Sequence, residues 1–187
     1  MVIKHHEWNT ADTFTSLRIV SSIFLLFFSL SSPWFFVIYT FAGLTDVLDG
    51  FIARKTGKTS EFGAKLDSIS DLIFYFVMLV RIFPVLLKIL PKVIWFITAG
   101  IIVLRFSSYV VAAVKFRCFA SLHTWLNKLT GFAVFLLPYI LLTKYTVEYS
   151  MAVCVLGFLA SAEELFIHLA AKEYKPQKKS ILPFSHR

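Results

Sequence analysis

Apolar stretches of about twenty residues recur six times along this chain, at roughly 13–30, 34–53, 66–83, 93–116, 126–142 and 151–171. About twenty residues is the length a helix needs to cross ~30 Å of hydrocarbon. Backbone polar groups inside lipid must be satisfied within the segment, and the runs are continuous rather than alternating. Each therefore reads as a helix and not as a barrel strand. The expected fold is an all-α integral membrane domain of six transmembrane helices, filling residues 1–187 as one unit. Composition supports this, since 58% hydrophobic residues with 21 Phe exceed what a soluble chain of 187 residues can bury. The first run follows about a dozen polar residues, contains Arg18 and precedes no small-residue cleavage site. It reads as a retained span, not a cleaved signal.

Positive charge sets the expected orientation. Arg18, Arg54, Lys55, Lys58, Lys65, Lys115, Arg117, Lys128 and the basic tail from about residue 174 fall on one side. Arg81, Lys88, Lys92 and Lys144 fall on the other. The majority side is cytoplasmic by the positive-inside rule, which puts both termini in the cytoplasm; the compact, multi-pass layout is what points to the plasma membrane. The net charge of +8 is explained by these loops and by attraction to anionic lipid headgroups. No solvated basic face long enough for nucleic acid is present, so nucleic acid is excluded as a partner. The two cysteines, Cys118 and Cys154, have no CxxC spacing and no His-rich neighbour, which excludes a zinc knuckle and a disulfide framework.

The second and third stretches carry what a purely structural span avoids. Asp46, Asp49, Asp67 and Asp71 lie at their cytoplasmic ends, where ionisable groups are costly and mark functional sites. Asp46 and Asp49 are three apart and Asp67 and Asp71 four apart, so each pair shares a helix face. A connection of about a dozen residues lets the two faces meet. Converging carboxylates repel unless a cation sits among them, and all-oxygen ligands suit Mg²⁺ or Mn²⁺. The alternative, helix capping with pairing to Arg54, Lys55 and Lys65, accounts for one such residue more readily than four. Gly50, Ala53 and Gly63 continue the carboxylate faces, where small side chains allow a ligand or another helix close approach. Arg54 stands beside them and can balance a diphosphate.

The run Asp46-Val-Leu-Asp49-Gly50-Phe-Ile-Ala53-Arg54, followed after eight residues by Gly63, after three by Asp67 and after three by Asp71, resembles the signature of the CDP-alcohol phosphatidyltransferases. Thr15 and Arg18 are similar to that family's N-terminal Thr-x-x-Arg pattern, with Asn9 and Asp12 a looser match to its preceding Asn. The resemblance implies that Asp46, Asp49, Asp67 and Asp71 bind two divalent ions that grip a CDP diphosphate. It implies that Thr15, Gly50, Ala53, Arg54 and Gly63 line the nucleotide site. Asp71 is implied to be the general base for the acceptor hydroxyl. The implied partners are CDP-diacylglycerol, a small polar alcohol and membrane lipids, with a homodimer as the family default and an active site facing the cytoplasm.

The acceptor is read from residues outside the signature. Arg105, about a dozen residues into the fourth run, together with Lys128 and Arg117, suits a phosphorylated alcohol, and the resemblance to small members of the family implies glycerol 3-phosphate ahead of inositol, its phosphate or serine. The alternative for Arg105 is an ion pair with Glu163 or Glu164 of the sixth run; for Lys128 and Arg117 it is a cytoplasmic loop. His5, His6, His123 and His168 read as surface or interfacial groups, and Trp8, Trp34, Trp95 and Trp125 as interface anchors. A membrane prenyltransferase would lack the Gly-x-x-Ala-Arg segment, and a carboxylate-coupled transporter would show broken helices in two halves.

Overall fold

The computed structural model describes residues 10–56, 61–117 and 124–171, and these form six α-helices with no strand. The chain divides into two compact units, Met1–Leu87 and Lys88–Arg187.

In the first unit α1 (Thr10–Phe24) packs along α2 (Pro33–Thr56), and α3 (Glu61–Ile89) follows. The polarity of α1 is reversed relative to a soluble helix. Asp12, Thr15, Arg18 and Ser22 recur every three or four residues and are all buried, whereas Leu17, Val20, Ile23 and Phe24 are exposed. That pattern suits a helix whose outer solvent is lipid and whose polar stripe looks inward. The hydroxyls of Ser16 and Ser22 donate to the carbonyls of Asp12 (2.8 Å) and Arg18 (2.7 Å), so polar groups at this depth are met locally. The helix ends in tightened turns, with the Leu26 and Phe27 amides donating three residues back. Pro33 then opens α2, where a fixed φ and a missing N–H cost nothing. Phe35, Tyr39, Ala42 and Thr45 form the buried stripe of α2. Tyr39 stacks on Phe35 (6.2 Å) and on Phe74 of α3 (5.6 Å). Polar contacts tie α3 to the start of the chain, among them Ser70 Oγ donating to the Thr15 carbonyl (3.3 Å) and Arg81 donating to the Phe28 carbonyl.

In the second unit α4 (Lys92–Phe116) and α5 (Trp125–Ile140) both pack on α6 (Thr146–Ala170). Thr124 caps α5 by accepting from the Asn127 amide (3.2 Å). Arg117 closes α4 with φ 55°, in the left-handed region. Thr146 fastens the α5–α6 turn through the carbonyls of Ile140, Leu141 and Thr143. Gly157 marks the close pass, since an added Cβ would meet Ile101 at 3.6 Å and Thr130 at 3.8 Å.

Among the described residues, three helical stretches are long and apolar enough to cross a membrane: Lys65–Ile89, Lys92–Phe116 and Thr146–Ala170. The helix limits differ from the apolar limits in an instructive way. The third stretch was expected to end before Pro84, but α3 runs through it to Ile89. A proline removes one backbone hydrogen bond, and neighbouring groups in an apolar helix absorb that loss. The expected connection of about a dozen residues shrinks to 57–60, which lies outside the described residues. Hydropathy marks where hydrocarbon stops; helical hydrogen bonding continues beyond it. Residues 172–187, including the basic tail, also lie outside the described residues.

Candidate metal centre

Three helices bring charge to one place in the first unit. Asp46 comes from α2, Asp67 and Asp71 stand one turn apart on α3, and Arg18 comes from the buried stripe of α1. One carboxylate oxygen from each aspartate lies within 4.8 Å of the others. The guanidinium of Arg18 holds all three. Its Nη1 lies 3.0 Å from Asp46 Oδ1 and also donates to Asp71 Oδ1, while Nη2 donates to Asp67 Oδ1 at 3.2 Å. Burial is strongly asymmetric across these pairs. The Arg18 side chain is 1% exposed, whereas those of Asp46, Asp67 and Asp71 are 54%, 48% and 42% exposed. A guanidinium at that depth requires its carboxylates, since an uncompensated buried charge costs several kcal/mol.

The donor set tests the metal reading directly. It consists of carboxylate oxygens without nitrogen or sulfur, which fits a hard divalent ion such as Mg²⁺ or Mn²⁺. Three carboxylates against one guanidinium leave an excess of negative charge, which a further cation at the exposed side would offset.

The other expected site residues fall as follows. Asp49, Gly50, Ala53 and Arg54 belong to the last turns of α2, but their side chains lie outside the described residues. Gly63 sits in the first turn of α3, half-buried. Thr15 is buried one turn before Arg18, with its carbonyl engaged by Ser70. In the second unit Arg105 binds Glu164 of α6 and donates to Asn127 Oδ1 at 2.8 Å, and Asn127 Nδ2 donates to the same carboxylate at 2.9 Å. The ion pair weighed as the alternative for Arg105 is therefore present, with Glu164 fully buried. Arg117 and Lys128 are exposed, and Lys128 Nζ lies 5.2 Å over the Trp125 ring. His168 corrects an expectation. It was read as a surface group, yet it is 1% exposed and its Nδ1 lies 2.8 Å from Ser108 Oγ. A polar partner one helix away, invisible in the local sequence, makes that burial affordable.

What sequence reasoning missed was the place of Arg18. It was counted as a cytoplasmic charge and a pattern match, while Arg54, Lys55 and Lys65 were weighed as counter-ions. The signal was available in the register of Arg18 with Asp12, Thr15 and Ser22, which places it on a polar stripe that lipid would not accept.

Comparison with known proteins points the same way. Over 66 residues the chain is 41% identical to a Methanocaldococcus jannaschii protein named CDP-diacylglycerol–serine O-phosphatidyltransferase, covering 35% of this chain and 30% of that one. It is 43% identical over 60 residues to a CDP-diacylglycerol–glycerol-3-phosphate 3-phosphatidyltransferase of Wigglesworthia glossinidia brevipalpis, covering 32% and 33%. A Pseudomonas fluorescens protein of the same name is 36% identical over 77 residues, covering 38% and 40%. The matched segments thus span about a third of the length of these curated relatives. No solved structure matches the chain. The profile described as CDP-alcohol phosphatidyltransferase, however, matches residues 8–162, from α1 with Arg18 through both aspartate helices and into α6, and on that match the chain belongs to the CDP-alcohol phosphatidyltransferase family.

Proposed function

We propose that this protein makes a phospholipid by transferring a phosphatidyl group from CDP-diacylglycerol to glycerol 3-phosphate with release of CMP. The observation that carries the reading is the convergence of Asp46, Asp67 and Asp71 within 4.8 Å, on the segment where the family signature lies. Asp49 completes the proposed ligand set for two divalent ions, Mg²⁺ or Mn²⁺. When bound, such ions supply charge neutralisation to the diphosphate and to the departing CMP. The chain's own residues do the rest. Asp71 accepts the proton of the acceptor hydroxyl, and that oxygen bonds to the phosphorus next to the lipid. The bond from this phosphorus to the bridging oxygen breaks, and CMP leaves with that oxygen. Thr15, Gly50, Ala53, Arg54 and Gly63 are the proposed lining of the nucleotide site.

Glycerol 3-phosphate is favoured as acceptor because several relatives carry that substrate in their names. Serine is the second reading, favoured by the name of the archaeal relative. The family match crosses both compact units, which supports one domain; the apolar stretches and the distribution of Lys and Arg favour six spans in the plasma membrane, with the aspartates and both termini on the cytoplasmic side. The test presents purified protein with labelled CDP-diacylglycerol and glycerol 3-phosphate, serine or inositol, with Mg²⁺, with Mn²⁺ or with EDTA. CMP release and a new glycerophosphate lipid are expected only with metal. Silence with every acceptor defeats the enzyme reading, and undiminished turnover in EDTA defeats the metal.

A further inference from the structure

The charge arrangement around Arg18 poses a specific question, which rests on the metal reading above: does a divalent ion replace this guanidinium, or bind beside it? The burial gradient answers it. Arg18 is 1% exposed and reaches the carboxylates from the protein side, while the aspartates are about half exposed. It meets an Oδ1 of each of the three carboxylates. Its own position is fixed locally. Ser22 donates to its carbonyl, and Ser70, lying between Asp67 and Asp71, donates to the carbonyl of Thr15 one turn earlier. The register of α1 against α3 is thereby set at the level of the carboxylates.

We propose that Arg18 is the positioning residue of the metal centre: it grips Asp46, Asp67 and Asp71 from beneath, and divalent ions enter on the exposed side without displacing it. Two nitrogens of one planar fork serve three carboxylates from two helices, which a lysine ammonium on a flexible stem does not reproduce. Groups that hydrogen-bond to a metal's ligands set the orientation of those ligands, and their loss typically weakens metal affinity about 10–100-fold. A guanidinium so close to the ions also repels them, so charge alone predicts the opposite sign on its removal. That opposition makes the role measurable.

The experiment is Mn²⁺ binding alone, without lipid substrate, to detergent-solubilised wild type, Arg18→Lys and Arg18→Gln, read by electron paramagnetic resonance. Elution volume and thermal unfolding serve as checks of folding. Arg18→Lys keeps the charge and loses the fork; its Mn²⁺ dissociation constant is expected to rise about tenfold or more. Arg18→Gln is expected to weaken binding as well, although a repelling charge has gone. Wild-type affinity in folded Arg18→Lys, or tighter binding in Arg18→Gln, overturns the positioning role while leaving the metal reading intact. No Mn²⁺ bound by the wild type overturns the metal reading itself, and the inference with it. A measurement on the wild type needs no variant: ¹⁵N-arginine spectra are expected to keep the same slowly exchanging guanidinium signals on adding Mg²⁺. Loss of one such signal shows an arginine expelled by the ion and defeats the proposal.

Discussion

The two units each hold an arginine facing acid, fully buried in the first and about a quarter exposed in the second, and the difference between them separates a site from a clamp. In the second unit Arg105 meets a single carboxylate, Glu164, which is fully buried and also takes the Asn127 amide. There guanidinium, carboxylate and amide meet as one hydrogen-bonded group. In the first unit Arg18 meets three carboxylates, all about half exposed. Among the described side chains negative charge is in excess there, and it faces outward. Buried ionic groups alone are therefore weak evidence of function; the imbalance and the access are what distinguish the aspartate cluster.

The comparison can be broken by mutation, beginning with the largest effect. Asp71→Asn should lower CMP release by roughly 10²–10⁴-fold, the usual weight of a general base, with binding of CDP-diacylglycerol retained. Retained turnover removes Asp71 from that role. Asp46→Asn should weaken Mn²⁺ binding at equilibrium by about tenfold or more, whereas removing a carboxylate from the other unit should leave Mn²⁺ affinity unchanged. If Glu164→Gln shifts the Mn²⁺ titration as far as Asp46→Asn does, the division between site and clamp fails. Glu164→Gln should instead act on stability, lowering it by about 3 kcal/mol because the Arg105 charge loses its counter-ion, as read from denaturant or thermal unfolding. At the small end, Thr124→Ala removes the cap of α5 and should cost about 1 kcal/mol, with no change in metal affinity.

Much of the aspartate cluster was legible because helical spacing turns a linear pattern into a face. Asp67 and Asp71, four apart, had to share one side of α3, and the apolar context made their placement chemically expensive. Arg18 was legible only as a pattern, because its partners come from helices far along the chain and no local rule selects Arg18 over Arg54 as their counter-ion. Arg105 with Glu164 was weighed as one of two readings for the same reason. His168 was misread because its partner, Ser108, sits on another helix. The number and order of helices followed from hydropathy, but their ends did not. The polar last turns of α2 and the first turns of α3 continue as helix where apolarity has stopped, and Pro84 is carried inside α3. Hydrophobicity reports the surrounding solvent, whereas helix limits are decided by backbone hydrogen bonding and the turns that end it.

The inverted polarity of α1 bears on how the molecule is assembled. A segment of 15 residues with Asp12 and Arg18 on its buried stripe is a poor candidate to settle beside lipid alone, since a buried arginine needs the carboxylates that α2 and α3 bring. If α1 lies in the bilayer, its residence becomes stable only once the acidic helices made later in translation supply those carboxylates. Biogenesis of the amino-terminal hairpin is thus coupled to synthesis of α3, and a nascent chain halted before Asp67 should expose α1 to membrane quality control.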